Sequence, residues 1–119
     1  MNWFLAKIVY RIVCGKGEHT PQFDEQLRLI EAEDADAAFA KAHAIGTQEQ
    51  DSFLNHQRHL VQWQFVNVSE LYKISALIDG AELYASVQET DNADIYMQMV
   101  HKKAEHIKQN ITHKYLQLF

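Results

Sequence analysis

The stretch NWFLAKIVYRIVC, Asn2–Cys14, alternates between two kinds of side chain. Every even position from 4 to 14 is apolar, whereas Lys7 and Arg11 lie at odd positions. Successive residues of a β-strand point to opposite faces of the sheet, so a period of two gives one apolar face and one mixed face. The stretch therefore predicts a long, half-buried strand.

A hairpin is predicted to follow this strand. The segment GKGEHTPQ, residues 15–22, contains two glycines and the only proline, residues that favour turns. The segment FDEQLRLIEA, residues 23–32, predicts the return strand, with its apolar phase at Phe23, Leu27 and Leu29. Two adjacent apolar residues near its end leave the register of this strand open.

The segment EDADAAFAKAHAIGTQEQ, residues 33–50, predicts an amphipathic helix. Either Asp34 or Asp36 can cap the free amides at its start. Its buried side is mostly alanine, with Phe39 as the predicted anchor. Gly46 is predicted to end the helix, because glycine is the commonest residue just past a helix C-terminus.

A second, shorter helix is predicted directly afterwards. Thr47-x-x-Gln50 has the spacing of a capping box, in which two side chains bond each other's backbone amides. This pattern predicts a short helix through EQDSFLNH, residues 49–56.

The segment HLVQWQFVNVSELYKISA, residues 59–76, predicts a strand with an irregularity. Apolar residues alternate with glutamines through Phe65, but the apolar phase then moves to Val66 and Val68. A β-bulge near Asn67 explains this change, because one extra residue in a strand reverses the faces of all residues after it.

Two further elements complete the predicted fold. Asp79-Gly80 predicts a turn, followed by a last strand over residues 83–87. The final segment, residues 91–119, contains neither proline nor glycine and repeats apolar residues at helical spacing, so it predicts a long C-terminal helix.

The order strand, strand, helix, strand, strand, helix predicts an α+β fold with a four-stranded antiparallel sheet. We expect a single domain over residues 1–119, in which the helix of residues 91–119 extends a core of residues 1–90.

Composition and charge exclude several classes of function for this protein. The chain has 119 residues, a net charge of −5 and one cysteine, Cys14, which cannot form an internal disulfide. The negative charge argues against general nucleic-acid binding, which depends on neutralising phosphates. Basic residues interrupt the apolar N-terminus, and no run approaches the roughly 20 apolar residues of a membrane helix. We expect a cytoplasmic protein that binds neither nucleic acid nor membrane.

Four features occur together in this chain. They are Trp3 in the first strand, the acidic helix from Glu33 to Gly46, the strand segment from Trp63 to Val68, and Tyr84. In this combination the chain resembles, over roughly residues 2–88, a bacterial family known only as a domain of unknown function, DUF4288. The resemblance implies a compact α+β domain, and it supplies no activity, cofactor or catalytic residue.

His56 and His59 are the clearest chemical feature. Zinc needs three or four ligands, and histidines three residues apart share a face only where the backbone is helical. No Cys-x-x-Cys or His-Glu-x-x-His motif accompanies them. They remain candidate metal ligands, although the simpler interpretation is a polar entrance to the following strand. The sequence predicts no catalytic residue and no cofactor.

The terminal helix carries the best candidate for an interaction surface. About 25 residues at 1.5 Å each give a helix close to 40 Å long, and an apolar stripe of that length is normally covered. It packs either on the chain's own sheet or on a second chain, and we expect dimerisation. The predicted interface residues are Tyr96, Val100, Ile107, Ile111, Tyr115 and Leu118.

Two classes of function follow from these patterns. The first is a protein-interaction module without catalytic activity, homodimeric, whose acidic middle segment suits a further partner with a basic surface. The alternative is a small-ligand or metal-binding domain that uses the histidines.

Overall fold

Six regular elements follow one another along the chain. The computed structural model describes residues 1–117, and their side chains as far as residue 111. The elements are β1 (Asn2–Cys14), β2 (Gln22–Ala32), α1 (Ala35–Gln48), β3 (Asp51–Leu54), β4 (Leu60–Ile74) and α2 (Ala93–Gln117). The strands form one antiparallel sheet in the order β2-β1-β4-β3. The predicted α+β class, the four-stranded antiparallel sheet and the order of elements are confirmed.

The even-numbered residues of β1 face α1, as the period of two predicts. Phe4 and Ala6 form a buried cluster with Ile30 of β2 and with Ala38 and Ala42 of α1. The alanines let the helix lie close to the sheet. Removal of a large apolar side chain from water contributes roughly 1.5–3 kcal/mol, so burial of Phe4 and Ile30 stabilises the packing of α1 on the sheet.

The start of α1 and the alanines of its buried side are as predicted, but its anchor residue and its end are not. Asp34 is the N-cap, and its Oδ1 accepts a hydrogen bond from the Ala37 amide at 2.8 Å. Phe39, predicted as the anchor, is 42% exposed. Gly46 does not end the helix, which continues to Gln48.

Gly46 is needed where the sheet approaches the helix most closely. A Cβ at Gly46 would overlap the ring of Phe65 on β4, with the ring Cδ1 only 2.6 Å away. The Gly46 carbonyl also accepts a hydrogen bond from the buried Tyr10 hydroxyl at 2.9 Å. The glycine therefore serves helix–sheet packing rather than helix termination.

The predicted short helix over residues 49–56 is wrong, because residues 51–54 form β3. Pairing runs from Asp51 opposite Trp63 to Leu54 opposite Leu60, and the ring of Phe53 stacks on Trp63 with centroids 5.8 Å apart. Cross-strand pairs of this kind outweigh a local capping pattern.

The two residues of the expected capping box have other roles. Thr47 lies inside α1 and its hydroxyl donates to the His43 carbonyl at 3.0 Å. Gln50 joins α1 to β4, because it donates to the Thr47 carbonyl at 3.3 Å and accepts from the Phe65 amide at 3.0 Å.

The bulge predicted near Asn67 is present. The register of β4 against β1 shifts on both sides of Asn67, where Val66 and Ser69 are passed over. These shifts place Phe65 opposite Tyr10 and Val68 opposite Ile8, so both side chains lie on the face that α1 covers.

The predicted last strand over residues 83–87 is wrong. Gly80 has a left-handed φ of 82°, and the Ala81 amide donates to the Ile78 carbonyl at 3.0 Å, so the predicted turn forms. The following residues join no strand. Tyr84 instead lies over a face of the sheet, with its ring centroid 5.5 Å from that of Tyr72. Residues 83–87 therefore contact a face of the sheet through the Tyr84 side chain, and they do not pair with an edge strand.

Backbone contacts divide the chain into two units, Met1–Ala85 and Ser86–Phe119. The first contains the sheet and α1, and the second contains α2. Among the described residues, no helix combines the length and apolar character needed to cross a membrane.

Candidate interaction surface and histidine hairpin

The helix α2 has a well-defined start. The Asn92 side chain accepts a hydrogen bond from the Ile95 amide at 3.1 Å, and the Asn92 carbonyl accepts from Tyr96 at 3.2 Å. Asp94 in the first turn interacts favourably with the helix dipole. From this cap the helix continues for 25 residues, about 38 Å.

The predicted interface residues that the structure describes lie in one stripe along α2. Starting at Tyr96, the apolar positions follow at intervals of four, four and three residues, and this interval pattern repeats. Side chains at such spacing lie on one side of an α-helix. The described members are between 44% and 59% exposed, namely Tyr96, Val100, Ile107 and Ile111. The side chain of Tyr115 and the whole of Leu118 lie outside the described residues.

The first turns of α2 are more apolar than the predicted stripe. Ile95, Met97 and Met99 are about half exposed and lie beside it, so apolar side chains surround much of the helix there. A helix that is apolar on most sides is usually buried on most sides. The stripe pattern missed these residues because it selects one face; the run IYMQMV itself indicates them.

His56 and His59 lie in the tight hairpin between β3 and β4. The Asn55 amide donates to the His59 carbonyl at 2.9 Å, and Asn55 Oδ1 accepts from the His59 amide at 2.9 Å. Arg58 has a left-handed φ of 62°. This is a three-residue loop with a bulge, and His56 is its first residue.

The hairpin borders an open groove of about 1020 Å³. Both ring nitrogens of His19 are used there, since Nε2 accepts from the Cys14 amide at 3.0 Å and Nδ1 donates to the Thr20 carbonyl at 2.8 Å. The remaining lining includes Lys16, Arg58 and His59. Within the described residues, no three histidine, cysteine, aspartate or glutamate side chains gather at a point that would hold a metal.

An ion pair lies on the sheet face opposite α1. Lys7 Nζ of β1 is 2.9 Å from Glu70 Oε2 of β4, an oxygen shielded from water. The ring of Tyr84 lies 5.9 Å from the lysine nitrogen. The close contact with Lys7 holds the pKa of Glu70 below its usual 4.5, and the contact with Glu70 raises the pKa of Lys7 above 10.5. Both groups therefore stay charged at neutral pH, and their effect is to join two strands.

Comparison with known proteins places the first unit in a family. No curated protein and no solved structure matches the chain. A family described as "Domain of unknown function (DUF4288)" matches residues 3–85, a segment that ends where the first unit ends. The sheet and α1 are therefore the part shared with this family, and α2 lies outside the match. The predicted resemblance is confirmed: the chain belongs to the DUF4288 family.

Proposed function

We propose that this chain is a cytoplasmic protein-interaction module without catalytic activity, and that it forms a homodimer through α2. The observation that carries the proposal is the exposed apolar stripe of α2, which includes Val100 and Ile111. Within the described residues of its unit, α2 is the only regular element. The unit therefore offers no second surface of its own against which the stripe can be buried.

The spacing of the stripe suits a pair of identical helices. Intervals of four, four and three residues repeat every 11 residues, as from Tyr96 to Ile107 and from Val100 to Ile111. A period of 11 residues over three turns is about 3.67 residues per turn, slightly more than in a straight α-helix, so two such helices stay in contact with a slight right-handed supercoil. A second copy offers the same stripe at the same spacing, which a two-fold interface requires.

The test is the native mass of the full-length chain and of two helix variants. We expect Val100→Glu and Ile111→Glu each to lower the native mass relative to an oligomeric wild type, because a glutamate buried between two helices has no partner charge. Each variant should raise the dissociation constant at least about 10-fold, equivalent to about 1.4 kcal/mol.

Matched controls lie two residues earlier in each case. Gln98→Glu and Gln109→Glu add the same charge about 160° around the helix from the residue that each one controls. Both should keep the native mass of the wild type. A monomeric wild type, or a native mass that neither substitution in the stripe changes, would contradict the proposal.

A further partner with a basic surface remains part of this proposal. The start of α1 exposes Glu33, Asp34 and Asp36 to solvent. Such a cluster speeds encounter with a positively charged protein, and its effect falls as salt screens the charges.

A further inference from the structure

The two edges of the sheet differ in a way that points to a second contact. β3 forms one edge and has only four residues, Asp51–Leu54. β2 forms the other edge with 11 residues, and its register against β1 is unbroken from Gln22 opposite Ile12 to Ala32 opposite Asn2. A long, regular edge strand presents a row of free backbone amides and carbonyls.

The free part of this edge is residues 22–30. At the end of β2, the Lys41 side chain donates to the Glu31 carbonyl at 3.1 Å. Among the described residues, no backbone hydrogen bond from a loop, turn or cap reaches residues 22–30. Three features that commonly protect an edge are missing there, since the strand has no lysine, no proline and no bulge; its charged residues in this stretch are Asp24, Glu25 and Arg28.

The side chains of the same strand leave an apolar row uncovered. Phe23, Leu27 and Leu29 are 50–55% exposed. Leu29 pairs with Leu5 and Leu27 with Lys7, positions of β1 whose side chains point away from α1. The apolar alternation that indicates a buried face in the sequence therefore lies on the face that α1 does not cover.

The other face of β2 carries a polar row with a charge at each end. Gln26 donates to Asp24 Oδ2 at 2.7 Å and accepts from Arg28 NH2 at 2.8 Å. The row is therefore acidic at Asp24 and basic at Arg28, with Gln26 in the middle. Within the chain Asp24 also accepts from Trp63 Nε1 at 3.1 Å, and Arg28 also pairs with Glu49. Two such rows placed antiparallel bring the acidic end of each beside the basic end of the other.

We propose that β2 pairs with β2 of a second copy of this chain, antiparallel and with Gln26 on the two-fold axis, to form a continuous eight-stranded sheet. This register places Asp24 opposite Arg28 and Phe23 opposite Leu29, each twice. It also spans residues 22–30, the stretch left free by Lys41. Opposite charges and apolar side chains in facing positions stabilise antiparallel strands.

Neighbouring registers that keep each residue on its own face fit less well. With Leu27 on the axis, Phe23 would face Glu31 instead of Leu29, and Asp24 would face Ile30 instead of Arg28. With Arg28 on the axis, Glu25 would face Glu31, and like charges directly opposite are destabilising. Both registers also use Glu31, whose carbonyl already bonds Lys41.

This contact does not depend on α2. Two different two-fold interfaces on one chain give assemblies larger than a dimer unless their axes coincide. The test is therefore made in the full-length chain with Val100→Glu and Ile111→Glu present, and with Cys14→Ser to leave no native thiol.

Single cysteines then report the register. Facing residues of antiparallel strands have Cα atoms about 4.5–5.5 Å apart, within the range that a disulfide spans. Gln26→Cys should cross-link to itself under mild oxidation. Phe23→Cys mixed with Leu29→Cys should give the mixed dimer, whereas each of these alone should not cross-link.

The cross-linked fraction is read on non-reducing gels, with thermal melting to show that each variant is folded. We expect at least a five-fold excess for Gln26→Cys over Leu29→Cys. Cross-linking of Leu27→Cys or Arg28→Cys instead would overturn the register. Equal, low cross-linking of all folded variants would overturn the contact itself, whatever the result for α2.

Discussion

At the scale of single residues, the close approach of the sheet to α1 explains a glycine that helix propensity does not. Gly46 lies inside α1, where glycine usually costs about 1 kcal/mol relative to alanine. The ring of Phe65 occupies the space that a Cβ would take, and it is itself held against Tyr10 and His43 at centroid distances of 6.0 and 5.0 Å. The position of the Phe65 ring therefore leaves room only for glycine at residue 46.

Gly46→Ala should therefore destabilise the protein, although alanine is the better helix former. We expect a loss of about 1–3 kcal/mol in the free energy of unfolding, because the ring of Phe65 must move. Urea denaturation measures the change.

The matched background is Phe65→Ala, in which the ring is absent. There, Gly46→Ala should become neutral or stabilising by up to about 1 kcal/mol. The same loss in both backgrounds would show that Phe65 is not the cause.

Arg58 has a strained backbone conformation. Its φ of 62° is a conformation that costs an L-residue about 1–2 kcal/mol, and that glycine adopts freely. Arg58→Gly should raise the free energy of unfolding by up to about 1 kcal/mol. The gain is smaller than the relieved strain, because glycine also has more conformational freedom in the unfolded chain, which opposes folding. Gln57→Gly, at the neighbouring position without a positive φ, should lower it. Thermal melting of the two variants decides, and equal destabilisation by both would disprove the argument.

At the scale of elements, the position of a strand in the sheet and the contacts of each of its faces decide whether its apolar side chains are buried. β1 lies between β2 and β4, and its side chains make contacts on both faces of the sheet. On the face of its odd-numbered residues, Leu5 is buried and Lys7 pairs with Glu70 of β4. β2 has the same alternation but lies at the edge, so its apolar row stays half exposed. Equal patterns thus have different consequences in different places in the sheet.

The ion pair between β1 and β4 predicts a pH dependence with a defined sign. The pKa of Glu70 is lowered from 4.5 by its bond to Lys7, so its contribution is complete above 4.5 and is lost as pH falls through the lowered value. The pKa of Lys7 is raised, so its contribution is complete below 10.5 and is lost as pH rises through the raised value.

Glu70→Gln should remove the acidic part of this dependence. The urea midpoints of wild type and variant should differ most near pH 6 and converge as pH falls below 4.5. The pair is partly exposed, so the difference should be modest and shrink in 0.5 M NaCl. A difference that grows on acidification would contradict the assignment.

At the scale of the whole molecule, the buried residues and the family match coincide. All the buried apolar residues identified in the described part of the chain lie between Phe4 and Ile74. The family match covers residues 3–85, and the first unit ends at Ala85. The second unit carries the stripe that we propose for association.

A chain of residues 1–85 should therefore fold without α2. We expect one cooperative thermal transition and a free energy of unfolding of a few kcal/mol, as is usual for a domain of this size. Circular dichroism and calorimetry measure both. The matched control is the same truncation with Ala42→Asp, which puts a charge in the core and should abolish the transition. Absence of a cooperative transition in the unmodified truncation would disprove the prediction.

The candidate site was partly accessible from the sequence. The α2 stripe follows from spacing alone, because helical periodicity is a property of one segment. The edge of β2 does not, because Phe23, Leu27 and Leu29 give the same alternation on a central strand as on an edge strand. Whether an apolar face is covered depends on what lies over it, and no local pattern contains that information.

The sequence by itself determined β1, β2, the start of α1, the bulge near Asn67 and α2, since each leaves a repeating pattern within its own residues. The tertiary structure decided that residues 51–54 form a strand, that residues 83–87 do not, and that α1 continues past Gly46. In these places the deciding contact was with another element: β4 for β3, the sheet face for Tyr84, and Phe65 of β4 for Gly46. Periodicity reports that a segment has an apolar side, whereas only the assembled fold supplies the surface that this side meets.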